Sequence, residues 1–156
     1  MLNYPIFLMF LVILATSGCG KFDVINRPAP ELLQAETVCI IDDPETREGF
    51  KKAMQNWLNK ENIKNQIVPA SSKVDSCAWT MRYYGRWSWD LALFLSDAEI
   101  TAYKNGIEAG EVNLRVGQWD SHKFEDGDNR IYKMMDMLSG KVDRYILTNP
   151  KKKKSD

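Results

Sequence analysis

Trp79-Thr80-Met81-Arg82-Tyr83-Tyr84-Gly85-Arg86-Trp87 alternates with a period of two. Successive side chains of a β-strand point to opposite faces. Trp79, Met81, Tyr83, Gly85 and Trp87 therefore share one side, and Thr80, Arg82, Tyr84 and Arg86 the other. The first set is apolar and belongs against a core. The second is polar and belongs in water or against a ligand. A strand wetted on one side fits an antiparallel sheet with a single covered face. Cys77 and Ala78 read as the start of the same strand.

Downstream, Leu91, Leu93 and Leu95, then Ile100 and Tyr103, predict a further strand, with a bulge or bend at Ser96-Asp97. Asn105-Gly106 is a hairpin signal, because both residues accept the positive φ that a tight turn needs. Beyond it Val112, Leu114 and Val116 alternate with Glu111, Asn113 and Arg115. Residues 118–123 read as a loop. Phe124, Ile131, Met134, Met135 and Leu138 fall on one helical stripe, and Gly140 suits the position just past a helix end. Residues 142–147 fit a helical turn or a strand.

Upstream, Thr37-Val38-Cys39-Ile40-Ile41 is β-branched and apolar at consecutive positions, the mark of a strand buried on both faces. Asp43-Pro44-Glu45 predicts a helix start, with Asp43 as the cap and Pro44 in the first position. Phe50, Ala53, Met54, Trp57 and Leu58 form its apolar stripe, and Asn62 follows as the stop. Gln66 to Pro69 is a short strand, parallel to the first through this helix. The expected fold is α+β. A β-α-β unit precedes an antiparallel β-meander and a C-terminal helix, with the helices packed on one face of a mixed sheet.

The chain has 156 residues, enough for one domain. Its 21 basic and 21 acidic side chains cancel, so no large field draws the molecule to nucleic acid. The first 18 residues carry no charged side chain, and Ile6 to Ala15 is an unbroken apolar run. Ten helical residues reach about 15 Å, half of a ~30 Å hydrocarbon core. That is too short to span and right for the apolar region of a signal peptide. Thr16-Ser17-Gly18-Cys19 follows. It resembles the lipobox of bacterial lipoproteins, in which a small residue precedes a Cys that is diacylated, exposed by cleavage and then N-acylated. That resemblance implies residues 1–18 as signal peptide and Cys19 as a lipid anchor to the membrane. It also implies 19–36 as tether, with an extended stretch at Pro28 and Pro30, and 37–148 as one periplasmic domain. Residues 149–156 are expected to be a disordered Lys-rich tail. Gly20 stands where an Asp would hold a lipoprotein in the inner membrane, so the outer membrane is the expected destination.

Cys39 and Cys77 remain. In an oxidising compartment an even pair reads as a disulfide, worth roughly 3–4 kcal/mol for a loop of this length. Two buried free thiols are the alternative. No metal site is expected, because His122 is the only histidine and no CxxC pair exists.

The carboxylates Asp42, Asp43, Asp90, Asp97 and Glu99 lie near strand or helix ends, where capping and bends account for them. His122 has no nucleophile motif such as GxSxG beside it. Gly117 and Gly127 form no phosphate-cradling loop. No catalytic residue, cofactor or metal ligand is assigned, and the expectation is a non-enzymatic protein. The strongest binding signal is the wet strand face, where Tyr84 stands between Arg82 and Arg86. Either another element covers that face, or it takes an envelope protein partner, or a glycan or lipopolysaccharide held by ring stacking.

Several strings carry a wider resemblance. Cys39-Ile40-Ile41, Pro44-Glu45-Thr46-Arg47-Glu48-Gly49-Phe50, the strand containing Cys77, Trp87-Ser88-Trp89-Asp90-Leu91-Ala92-Leu93, and Ala98-Glu99-Ile100 occur in this order. With the terminal helix they resemble the Sbal-type family of small proteobacterial lipoproteins over about residues 38–140. The resemblance implies a Cys39–Cys77 bond and an envelope location. It implies no activity. The chain departs from the family pattern after Val116, where Gly117-Gln118-Trp119-Asp120 replaces a Gly-rich turn.

Overall fold

The structure is a computed structural model that describes residues 22–146. The expected signal peptide, Cys19 and the Lys-rich tail lie outside the described residues. Among the described residues no helix is long and apolar enough to cross a membrane.

Six strands and two α-helices follow in the order β1 (Asp23–Arg27), β2 (Thr37–Ile41), α1 (Glu48–Lys60), β3 (Lys64–Val68), β4 (Trp79–Asp90), β5 (Ala92–Lys104), β6 (Ile107–Arg115) and α2 (Gly127–Leu138). They form one mixed sheet of order β1-β6-β5-β4-β2-β3. β2 runs parallel to both β3 and β4; β4, β5, β6 and β1 are antiparallel neighbours. This is the expected α+β architecture.

Both helices lie against one face. Phe50, Ala53, Met54, Trp57 and Leu58 of α1 and Ile131, Met134, Met135 and Leu138 of α2 join a single core with Val38, Ile40, Met81, Ile100, Val112 and Leu114 of the sheet. The alternation of β4 holds: Trp79, Met81 and Tyr83 are buried, while Arg82, Tyr84 and Arg86 are exposed. Phe50 stacks on Tyr83 at 5.3 Å between ring centroids and meets Trp87 edge-on at 6.2 Å. A β-carbon at Gly85 would come within 2.7 Å of the Phe50 ring, so only glycine lets α1 pack this closely.

The cysteines are joined. Cys39–Cys77 is a disulfide with a Cα–Cα distance of 6.1 Å. Cys39 lies on the sheet face opposite Val38 and Ile40, and Cys77 precedes β4 rather than starting it. The bond therefore staples the β3–β4 loop across that face, and Thr80, beside Cys39 in the register, is fully buried.

Five sequence expectations are corrected. The tether does not extend to residue 36, because Asp23–Arg27 pairs with β6 and Pro30–Gln34 forms a 3-10 helix with Leu32 in the core. Asp43-Pro44 makes a turn, and α1 starts at Glu48. Asp43 Oδ1 accepts the Glu45 N–H at 3.1 Å and Oδ2 accepts the Thr46 hydroxyl at 2.6 Å, a local turn that competes with helix. The Thr46 hydroxyl in turn accepts the Gly85 N–H at 3.0 Å, which satisfies β4 beyond the end of β2. Phe124 lies outside α2, whose cap is Asp126, accepting the Asn129 N–H at 3.2 Å. Finally, Leu91 is not part of the strand but sits at the tip of the β4–β5 hairpin with φ 58°, and Trp89, Leu91 and Leu93 are exposed. The segment 141–146 takes neither a helical turn nor a strand.

Candidate functional site

With both helices on one face, the other face of β4, β5, β6 and β1 is uncovered. The register writes its surface. One row across the strands reads Arg86, Asp97, Arg115, Asp23; the next reads Tyr84, Glu99, Asn113, Ile25; the third reads Arg82, Thr101, Glu111, Arg27. In the first row basic and acidic side chains alternate across the strands, the arrangement that stabilises cross-strand neighbours. Arg115 Nε is 3.1 Å from Asp97 Oδ1, and Arg27 bonds Glu108 and Glu111. The four arginines of these rows are matched by four carboxylates, with Glu108 beside Arg27 as a fifth, so the face is a mixed mosaic rather than a basic patch.

Tyr84 is 40% exposed and its hydroxyl accepts the Arg86 Nε–H at 2.9 Å. It borders a shallow depression of about 280 Å³ shared with Asp23, Ile25, Asp97, Glu99 and Arg115. The structure thus keeps Arg82, Tyr84 and Arg86 together on an open face. It adds Asp97, Glu99 and Arg115 as their neighbours, which strand alternation alone did not reveal. Register supplies those neighbours, and two irregularities set it. Ser96 is the extra residue of a bulge opposite Arg86–Trp87, and a second shift falls between Ala102 and Tyr103. Counting from the turn at Leu91 without the first shift, or from Asn105-Gly106 without the second, pairs the wrong residues.

The other carboxylates named from sequence are dispersed and partnered. Asp42 bonds Lys51 at 2.8 Å, and this hydrogen bond holds its carboxyl below the ordinary range. Lys51 also lies 2.9 Å from Glu48, and its ammonium is held above the usual lysine range, mainly by the Asp42 bond. The Tyr83 hydroxyl accepts the Asp43 N–H at 3.2 Å, and burial pushes its pKa up. Asp90 pairs with Lys123. His122 stands between Ser121 Oγ (3.2 Å) and Asp120 Oδ1 (3.3 Å), in a loop anchored where the buried Arg130 donates to the His122 carbonyl. Among the described residues no group of His, Cys, Asp and Glu side chains is placed to hold a metal ion.

A one-sided α+β sheet with an open polar face and one stapled loop is the class of molecule these features define. Among solved structures the chain is similar to the PelC dodecamer from Paraburkholderia phytofirmans, at TM-score 0.52 and 11% identity, covering 75% of this chain and 96% of that one. It is equally similar to a point variant of the same assembly, again at TM-score 0.52 and 11% identity, covering 76% and 95%. At this identity the likeness concerns the fold alone. No family model matches the chain, and no curated protein matches it.

Proposed function

We propose that this chain is a lipid-anchored protein of the bacterial outer membrane, facing the periplasm and working without catalysis as an interaction module. The proposal places it with the Sbal-type lipoproteins its strings resemble. The uncovered face around Tyr84 carries the reading. A two-layer domain that leaves four strands open on one side, with an aromatic ring framed by arginines and carboxylates, offers a platform for a partner of matching pattern. The apolar run Ile6–Ala15 followed by Cys19 supports the anchor, and the Cys39–Cys77 bond fits an oxidising compartment.

A second reading is a glycan binder. The depression beside the exposed Tyr84 ring favours it, since a flat ring and flanking polar groups suit a sugar. Because arginines and carboxylates balance on this face, a neutral glycan fits better than the phosphates of lipopolysaccharide. Mild detergent extraction followed by co-purification tests the pair. A stoichiometric protein partner, lost in Tyr84→Ala, supports the module. Retention on peptidoglycan without a protein partner, lost in the same variant, supports the glycan reading. A Tyr84→Ala protein that keeps every partner contradicts both.

A further inference from the structure

The β4–β5 hairpin ends in an apolar tip. Trp89 is 74% exposed, Leu91 88% and Leu93 42%, and the neighbouring loop adds Trp119 at 81%. Trp89 and Leu93 are cross-strand partners on the same side of β4–β5 as Trp87, the side the helices cover elsewhere. The helices begin only at the level of Trp87: Arg47, just before α1, lies 5.8 Å over its ring, and a β-carbon at Gly127, the first residue of α2, would lie 3.9 Å from its indole nitrogen. The tip projects past them. The loop bearing Trp119 is fastened to it, since Lys123 bonds both Asp90 and the Gln118 carbonyl and Phe124 packs edge-on against Phe94 at 6.3 Å.

The chain enters the domain at the same end. Asp23 shares a row with Arg115, Asp97 and Arg86, and β1 runs away from the tip. β4 extends four residues beyond that row, about 13 Å at ~3.3 Å per residue. Cys19 precedes Asp23 by four residues, a reach of at most ~14 Å. The far end of the described chain is there too: Tyr145 packs on Phe22 with centroids 4.9 Å apart, and Lys151 follows five residues after Ile146. The described chain thus begins and ends at the pole that carries the apolar tip.

We infer that this pole seats on the lipid bilayer, with Trp89, Leu91, Leu93 and Trp119 in the headgroup–acyl boundary. Tryptophan is favoured there because one edge of its ring is polar and the rest apolar. Apolar contacts of this kind add to an acyl anchor. The inference rests on the proposed lipid anchor and names the surface that lies beneath it.

The test uses the full-length protein in vesicles of phosphatidylethanolamine and phosphatidylglycerol carrying acyl chains brominated near the headgroup. Tryptophan emission should be quenched and blue-shifted. The double variant Trp89→Phe/Trp119→Phe should lose most of that quenching, because Trp57 and Trp79 are buried in the domain and Trp87 is half-buried against Phe50 and Arg47. Leu91→Asp should reduce the quenching of Trp89. Intact mass of the same sample reports the acyl groups separately. An acylated, vesicle-bound protein whose Trp89 and Trp119 emit as in water overturns the inference and leaves the anchor standing. An unacylated chain contradicts the anchor, and whether added vesicles then quench these two tryptophans still decides the tip. Concentration-dependent self-association that Leu91→Asp abolishes, without quenching, assigns the tip to a second copy and also overturns the inference.

Discussion

Tyr83 and Tyr84 are neighbours of identical chemistry on opposite faces of one strand, and truncating each in turn should separate them sharply. Tyr83 is 6% exposed, stacks on Phe50, and its hydroxyl joins the Asp43 N–H and, at 3.4 Å, Asp42. Removing such a ring leaves a cavity under α1, and large aromatic-to-alanine changes in a core cost about 3–5 kcal/mol. A domain of this size has about 5–15 kcal/mol in total. With a urea slope of about 2 kcal/mol/M, Tyr83→Ala should lower the unfolding midpoint by roughly 2 M. Tyr84→Ala removes an exposed ring and one hydrogen bond to Arg86, and should stay within about 0.5 kcal/mol, or ~0.3 M. Tyr83→Phe keeps the ring on Phe50 and should cost about 1 kcal/mol for the lost hydrogen bonds. Far-ultraviolet circular dichroism against urea reads all three. Equal shifts for Tyr83→Ala and Tyr84→Ala would mean that both faces are buried, and the open-face account would be wrong.

Three further outcomes follow from the packing. Replacing both cysteines by serine should cost about 4 kcal/mol in the chain-entropy view and expose Thr80 beneath the freed loop, seen as faster amide exchange there; an unchanged midpoint refutes the staple. Gly85→Ala should destabilise by about 1–3 kcal/mol, because the added carbon drives into Phe50 and Trp87, and a neutral urea midpoint would contradict that contact. The Asp42 carboxyl binds a proton less readily when folded than when unfolded. Its contribution is therefore present above about pH 4 and lost as the pH falls through the folded value. Asp42→Asn should flatten that part of the acid limb in a titration of stability against pH, and an unchanged limb would remove the Lys51 bond from the account.

The parts of the fold legible in the residues are those where local pattern and burial agree. Tyr83 and Tyr84 fall on opposite sides because one face of β4 is covered and the other is not. Asn105 and Gly106 turn the chain as their tolerance of positive φ requires, with φ 51° and 80°. Asn62, at φ 61°, ends α1 for the same reason. The failures are non-local. Asp23 to Arg27 pairs only because β6 offers an edge, and nothing within those five residues announces it. Leu91 and Leu93 have core composition, yet the hairpin carries them past the helices. Asp97 and Glu99 reach Tyr84 through a register that Ser96 shifts by one. The proposed binding face is half legible: its arginines lie beside Tyr84 in the chain, and their matching carboxylates arrive from β5.

The proposed lipid anchor at Cys19 bears the most weight, and intact mass spectrometry of the protein extracted from membranes tests it directly. The expected species is a chain beginning at Cys19 whose mass includes a diacylglyceryl group and an N-acyl chain, and it should be absent from Cys19→Ala. A chain that begins elsewhere and carries no acyl group would contradict the account.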